Sequence, residues 1–179
     1  MKKKSILIVS GGIMQVPAII TAKSMNLNVV VTDKDKNAVG FEYCDEKEVI
    51  DSKDVRSHIA FAKKNVERLN LCGVFAGSDV AVTVAAITNA LGLPGIKNEV
   101  AHRSNNKGAM KERWIKDKIP TPIGYEINTQ SEARKVLKNI GFPAIVKAVD
   151  NAASRGSMKI ESFEQLPSAL ENAIKASKT

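Results

Sequence analysis

The chain has 179 residues, of which 44% are hydrophobic and 26% charged, a composition typical of globular proteins and not of disordered ones. Its length fits one ordinary domain or two small ones. No apolar run is long enough to span a bilayer, and Met1 to Lys4 lead directly into a short strand pattern, not into a signal-peptide core. We therefore expect a cytoplasmic protein with no membrane partner.

The few cysteines and histidines exclude two kinds of site. Cys44 and Cys72 are far apart in sequence, and His58 and His102 are the only histidines. Neither a disulfide framework nor a zinc site is indicated by so few widely spaced ligands. We expect no protein metal ligands within this chain.

The formal net charge of +8 raises the question of nucleic-acid binding. The lysines are spread along the chain, however, and aromatic residues make up only 4% of it, so stacking platforms for bases are nearly absent. We expect no nucleic-acid partner. Most lysines are interpreted as solvated surface, and the remainder favour a small anionic ligand.

The first half of the chain alternates strand and helix patterns. Apolar strand patterns occupy residues 5–9, 28–32 and 71–76, and residues 48–51 predict a short strand that ends in an acid. Helical periodicity with a buried stripe occupies residues 16–25 and 52–69, and residues 80–91 are apolar almost all round, which predicts a helix covered on all sides. In the first helix the stripe consists of Val16, Ile19, Ile20 and Met25. This order predicts an α/β fold with an open, mostly parallel, Rossmann-like sheet and right-handed crossovers.

Polar and glycine residues follow the strands of this predicted sheet. Because ligands of open α/β sheets bind beyond the carboxyl ends of the strands, these residues are expected on one rim, where they are candidates for binding a substrate. For Asp33 alone or Asp79 alone, helix capping or turn formation is at least as good an explanation. The candidates are Gly12, Gln15, Asp33, Ser78 and Asp79.

A dinucleotide site in the same place is not expected. A glycine turn after the first strand and an acid after the second are features of NAD-binding domains. The segment Gly11-Gly12-Ile13-Met14-Gln15 nevertheless lacks the spacing G-x-G-x-x-G.

The stretch from Gly141 to Lys159 predicts a polyphosphate site. A buried apolar strand, residues 144–148, carries Lys147, and a turn rich in small residues follows at 150–157, which we call the flap. Small side chains allow backbone N–H groups to approach an anion closely. A lysine that merely extends into solvent from a strand end is the competing explanation for Lys147.

A second pair of lysines begins a helix before this strand. Lys107 and Lys111 are four residues apart, so they lie on one helix face and could both reach a phosphate; a solvated helix face is the alternative. Further on, Thr129-x-x-Glu132 predicts a capping box for the next helix. The last helix is predicted to be capped by Ser162, or else to have Pro167 in its first turn.

These residues resemble the ATP-grasp superfamily, most closely the branch of carbamoyl-phosphate synthase and biotin carboxylase. The resemblance rests on Gly141-Phe142-Pro143, Ile145-Val146-Lys147, Ser154-Arg155-Gly156 and Lys107. Two departures are a flap with the single glycine Gly156, where relatives often have several, and Asn106 in place of an aspartate before Lys107. The resemblance implies a pre-ATP-grasp domain (1–95), a helical linker (96–120) and the N-terminal lobe of an ATP-grasp domain (121–179).

The resemblance also implies an activity: an ATP-dependent ligase that phosphorylates a carboxylate or bicarbonate for attack by an amine. ATP would be bound by Lys107 and Lys147, with Ser154, Arg155, Gly156 and Ser157 closing over its phosphates, while the second substrate would occupy the rim of the first domain. Magnesium ligands are expected beyond residue 179. The expected protein partner is a second copy of the chain in a homo-oligomer or a complementary C-terminal ATP-grasp subunit. The chain alone would then be inactive, and a non-catalytic nucleotide-binding, anion-binding or regulatory module is the alternative.

Overall fold

The computed structural model describes residues 2–177. The chain divides into two compact units, Met1–His102 and Arg103–Thr179. The first unit contains strands β1 (Ser5–Val9), β2 (Asn28–Asp33), β3 (Glu46–Val49) and β4 (Leu71–Phe75), and helices α1 (Val16–Ser24), α2 (Val55–Leu69) and α3 (Ala81–Leu91). Helix α4 (Asn98–Asn105) contains the boundary between the units.

The first unit is an open parallel sheet with the strand order β3-β2-β1-β4. The two central strands are buried on both faces because side chains of one strand alternate between two cores. Leu7 and Val9 pack with α2 and α3, and Ile8 packs with Ile19 of α1 and with Phe41. The predicted Rossmann-like α/β fold is confirmed.

Part of the predicted stripe of the first helix is wrong. Ile19 is fully buried and Ala22 nearly so, but Ile20 and Met25 are more than half exposed. The helix begins only at Val16, after a 3₁₀ turn at Ile13–Gln15, and it ends at Ser24. Met25 therefore follows the helix, in the turn that leads to β2.

The second unit contains helices α5 (Lys107–Lys116), α6 (Gln130–Ile140) and α7 (Leu166–Ala176) and strands β5 (Ala144–Lys147) and β6 (Ser157–Ile160). The strands form an antiparallel hairpin, and one face of it packs on Ala133 and Leu137 of α6 and on Leu166 and Ala169 of α7. The capping box of Thr129 and Glu132 is confirmed. Pro167 lies in the first turn of α7, whereas Ser162 makes no side-chain capping hydrogen bond.

Candidate functional site: an open hairpin face and its flap

The second face of the β5–β6 hairpin is open. Lys147 is paired with Ser157 and Ile145 with Lys159 across the hairpin, and all four are exposed. The prediction that the lysine strand is buried was wrong for Ile145, which is 60% exposed. A two-stranded sheet with helices on one side buries only alternate residues, here Ala144 and Val146. The open face therefore carries an apolar surface flanked by ammonium groups.

Lys147 has a free ammonium group on this face. Within residues 2–177 it makes no hydrogen bond or ion pair, whereas the neighbouring Lys159 is paired with Glu161 at 2.7 Å. An unneutralised ammonium group beside an apolar side chain suits a ligand that joins an anionic part to a flat apolar part.

Lys107 is attached to the flap. Asn106 caps α5 by accepting a hydrogen bond from the Ala109 N–H at 2.9 Å, which places Lys107 in the first turn. Its backbone N–H donates to the carbonyl oxygen of Val149 at 2.8 Å, and its ammonium group donates to the carbonyl oxygen of Asn151. The structure thus brings the first turn of α5 to the chain that leaves β5.

Lys111 does not share this position. Its ammonium group donates to the hydroxyl of Thr121 at 2.7 Å and to the carbonyl oxygen of Pro122. It therefore fastens α5 to the extended segment that follows, although it is on the same helix face as Lys107.

The flap is held by the side chain of Asn151. Its amide nitrogen donates to the carbonyl oxygen of Ala176, in the last turn of α7, at 2.7 Å. Its amide oxygen accepts from the backbone N–H of Ala152 at 2.9 Å and from Nε of Arg155 at 3.1 Å. A polar side chain with this many partners fixes the base of the loop.

The tip of the flap has the backbone conformation that glycines usually provide. Ala153 and Ser154 have φ values of 54° and 58°, in the left-handed region that side chains disfavour. Both residues are exposed, and in the described part of the chain their N–H groups have no acceptor. Unpaired N–H groups of this kind can bind an anion. Small side chains thus occupy positions whose backbone conformation favours glycine.

Gly156 has a packing role. It is buried with φ 71°, and a Cβ atom there would lie 2.4 Å from Cβ of Ala176 and 3.4 Å from Cα of Ala173. Only glycine allows the flap to lie this close to α7. Its contribution to cofactor binding stays a prediction.

The positive charge is concentrated in the second unit. Residues 103–179 contain 14 Lys and Arg against 8 Asp and Glu, so this unit has a net charge of +6, out of +8 for the chain. Such an excess raises the local concentration of anionic ligands.

In the first unit, Asp33 shapes the loop after β1. Its carboxylate accepts the N–H of Gly11 at 2.7 Å and that of Asp35 at 2.9 Å, so both oxygens already have a partner. Gly40 also contacts this loop: its N–H donates to the carbonyl oxygen of Gly11 at 2.6 Å, and a Cβ atom at residue 40 would clash with that oxygen. Gly40 was not predicted from the sequence, in which it is only the last residue of a polar connection.

The other rim candidates differ in burial and in their hydrogen bonds. Gln15 is only 5% exposed, and its side-chain amide, which has no hydrogen-bond partner in residues 2–177, lies close to Gly12 and Gly77. The hydroxyl groups of Ser10 and Ser78 are 3.4 Å apart. Asp79 is exposed and does not cap α3, whose N-cap residue is Val80. The structure therefore leaves Gln15, Ser78 and Asp79 available to a ligand, unlike Asp33.

Residues 2–177 lack two other kinds of feature. Among residues 2–177, no group of three or more His, Cys, Asp or Glu side chains is placed to hold a metal ion. None of the helices in this range is long and apolar enough to cross a membrane.

Sequence comparison relates the chain to ligases, although no family model matches it. The chain is 33% identical to the carbamoyl phosphate synthase large chain of Helicobacter pylori over 85 residues, which cover 48% of this chain and 8% of that protein. The homologues of this chain are ATP-grasp enzymes. The chain spans less than half the length of the curated relatives that it matches.

Solved structures share the fold of the whole chain. An ADP complex of N5-carboxyaminoimidazole ribonucleotide synthetase superposes with a TM-score of 0.81 at 16% identity, over 98% of this chain and 46% of that one. The biotin carboxylase domain of Hydrogenobacter thermophilus 2-oxoglutarate carboxylase, solved with magnesium ADP, ADP and bicarbonate, gives 0.78 at 20% identity, over 98% and 42%. At these identities the solved structures show a shared fold, and together with the sequence relatives they confirm the predicted ATP-grasp resemblance.

Proposed function

We propose that this chain is the ATP-binding portion of an ATP-dependent ligase, which activates a carboxylate or bicarbonate as an acyl phosphate for attack by an amine. The observation that carries the proposal is the free ammonium group of Lys147 on an open face, beside a flap with unpaired N–H groups at Ala153 and Ser154. The homologues are ligases, which favours this function over a non-catalytic anion-binding module.

In this proposal the chain's own residues bind and orient ATP. Lys147 and the guanidinium group of Arg155 supply positive charge for the phosphates, and the exposed N–H groups at the flap tip supply directed donors. Ile145 offers apolar surface on the same face as Lys147. Lys107, whose ammonium group is bound to the flap, orders that loop for phosphate contact. Ser154 and Ser157 add hydroxyl donors at the two sides of the turn.

The second substrate is proposed to bind at the rim of the first unit. The nearly buried Gln15 offers a side-chain donor and acceptor close to Gly12, and Ser78 and Asp79 supply exposed polar groups after β4. Magnesium, which neutralises charge as a phosphoryl group moves, is proposed to be held by residues outside this chain's described part.

Nucleotide binding and acyl phosphate formation can be tested separately. Isothermal titration of the full-length protein with ATP should detect binding, and Lys147→Ala should weaken it. Lys138→Ala removes the same charge at an exposed position of α6 and should leave the affinity unchanged. Hydroxylamine converts an acyl phosphate to a stable hydroxamate. The full-length protein, incubated with ATP, magnesium, hydroxylamine and a panel of carboxylates, should therefore yield a hydroxamate and ADP. Binding without any hydroxamate or ADP release across the panel and bicarbonate would favour the non-catalytic module.

A further inference from the structure

Asn151 is the residue through which the flap is attached to the rest of the second unit. Both lone pairs of its amide oxygen are used, by Ala152 N–H and by Nε of Arg155, and its amide nitrogen is bound to the carbonyl oxygen of Ala176. The backbone carbonyl oxygen of Asn151 accepts a hydrogen bond from the ammonium group of Lys107. The sequence did not indicate this role of Asn151, because an asparagine in a turn is ordinarily explained by local hydrogen bonding.

Arg155 is oriented by this contact. One of the five N–H donors of its guanidinium group, at Nε, donates to the amide oxygen of Asn151. The four donors on the two terminal nitrogens have no partner within residues 2–177. The side chain is exposed at the tip of the flap. Those four donors form the planar fork that matches phosphate oxygens in pairs. Without Asn151 the same side chain would sample many rotamers, and binding a ligand would require ordering it.

We infer that Asn151 is a positioning residue that holds the guanidinium group of Arg155 toward the polyphosphate of the nucleotide. The inference rests on the proposed function, since it presupposes that the flap binds ATP. Asn151 acts on the ligand only through Arg155, which its hydrogen bond to α7 helps to hold in place, and it does not itself contact the ligand.

A double-mutant cycle on ATP affinity tests this role. In the full-length protein, Arg155→Ala and Asn151→Ala should each weaken ATP binding by about three- to tenfold, the range of one typical hydrogen bond. If Asn151 acts through Arg155, Asn151→Ala should have little further effect in the Arg155→Ala background, because contacting residues are strongly non-additive. Asn89→Ala provides the matched control: this side chain bridges the carbonyl oxygens of Ala85 and Ile96 in the first unit, so its loss should lower stability without changing ATP affinity.

The outcomes separate this inference from the proposed function. Additive effects of Asn151→Ala and Arg155→Ala, or an affinity unchanged by Asn151→Ala, would overturn the positioning role while leaving ATP binding intact. If Asn151→Ala is too unstable to measure, Asn151→Ser removes the acceptor for Nε of Arg155 while keeping a small polar side chain in the turn, and the same cycle applies. Wild-type affinity in both Lys147→Ala and Arg155→Ala would instead contradict the proposed function itself.

Discussion

The ammonium group of Lys107 donates a hydrogen bond to the carbonyl oxygen of Asn151, at the base of the flap. Lys111, one helical turn later, donates instead to Thr121 and Pro122. The two lysines on one helix face therefore have different structural roles. Lys107 orders the candidate phosphate-binding loop, and Lys111 fixes the helix to the following segment.

Lys107→Ala should loosen the flap and weaken ATP binding by about tenfold, since a hydrogen bond to a charged group contributes about 1.5–3 kcal/mol. Amide hydrogen exchange of residues 150–157 should accelerate in this variant and can be followed by mass spectrometry. Lys111→Ala is the control, with a lower free energy of unfolding but unchanged ATP affinity and flap exchange. Equal losses of affinity in both variants would show that the lysines act as a common charged face.

Gly156→Ala should destabilise the second unit. The added Cβ would clash with Ala176, and φ of 71° is strained for any residue with a side chain, so about 1–3 kcal/mol of unfolding free energy should be lost. Gly73→Ala is the matched control, because nothing lies within 4 Å of a Cβ atom there. Denaturant unfolding of both variants measures the difference, and equal stability of the two would contradict the packing role assigned to Gly156.

The buried His58 should make stability depend on pH. Its Nδ1–H donates to the carbonyl oxygen of Asp54 at 2.8 Å, and its Nε2 accepts from the Thr32 hydroxyl at 2.9 Å. Burial lowers the pKa of His58 below its ordinary value of 6.5. As pH falls below 6.5, the unfolded chain takes up a proton that the folded chain resists, so the free energy of unfolding should fall between pH 7.5 and 5.5.

Two variants check the assignment to His58. Carboxylates titrate mainly below about pH 4.5, so they contribute little in this window. His58→Gln should be less stable at pH 7.5 and should lose the dependence between pH 7.5 and 5.5, whereas His102→Gln, at the exposed second histidine, should keep it. A His58→Gln variant with the wild-type pH slope would assign that slope to another group.

The sequence predicted those features that depend on local patterns. Val9 and Val30 lie in continuous apolar runs, which predicted central strands, and the spacing of Thr129 and Glu132 predicted a capping box. The exposed Ile145 was missed because an apolar run does not tell whether a strand is covered on one face or two. The division of the chain at residues 95 and 120 stays a prediction.

The candidate site was predictable in its residues but not in their partners. Lys107 and Lys147 were identified from their positions in the sequence. Only the structure shows that the ammonium group of Lys107 is bound to the Asn151 carbonyl oxygen, whereas that of Lys147 has no partner within residues 2–177. Asp33 satisfies its carboxylate with backbone N–H groups, a contact between residues 22 positions apart that no local pattern encodes. Asn151 was missed for the same reason, since its partner Ala176 is 25 residues away.

Calorimetric titration of the full-length protein with ATP, comparing wild type, Lys147→Ala and Lys138→Ala, tests the central claim most directly. The account predicts binding by the wild type and by Lys138→Ala, with affinity at least about tenfold lower for Lys147→Ala because a free ammonium group on the open face is lost. Equal affinities in all three proteins, or no binding by the wild type, would contradict it.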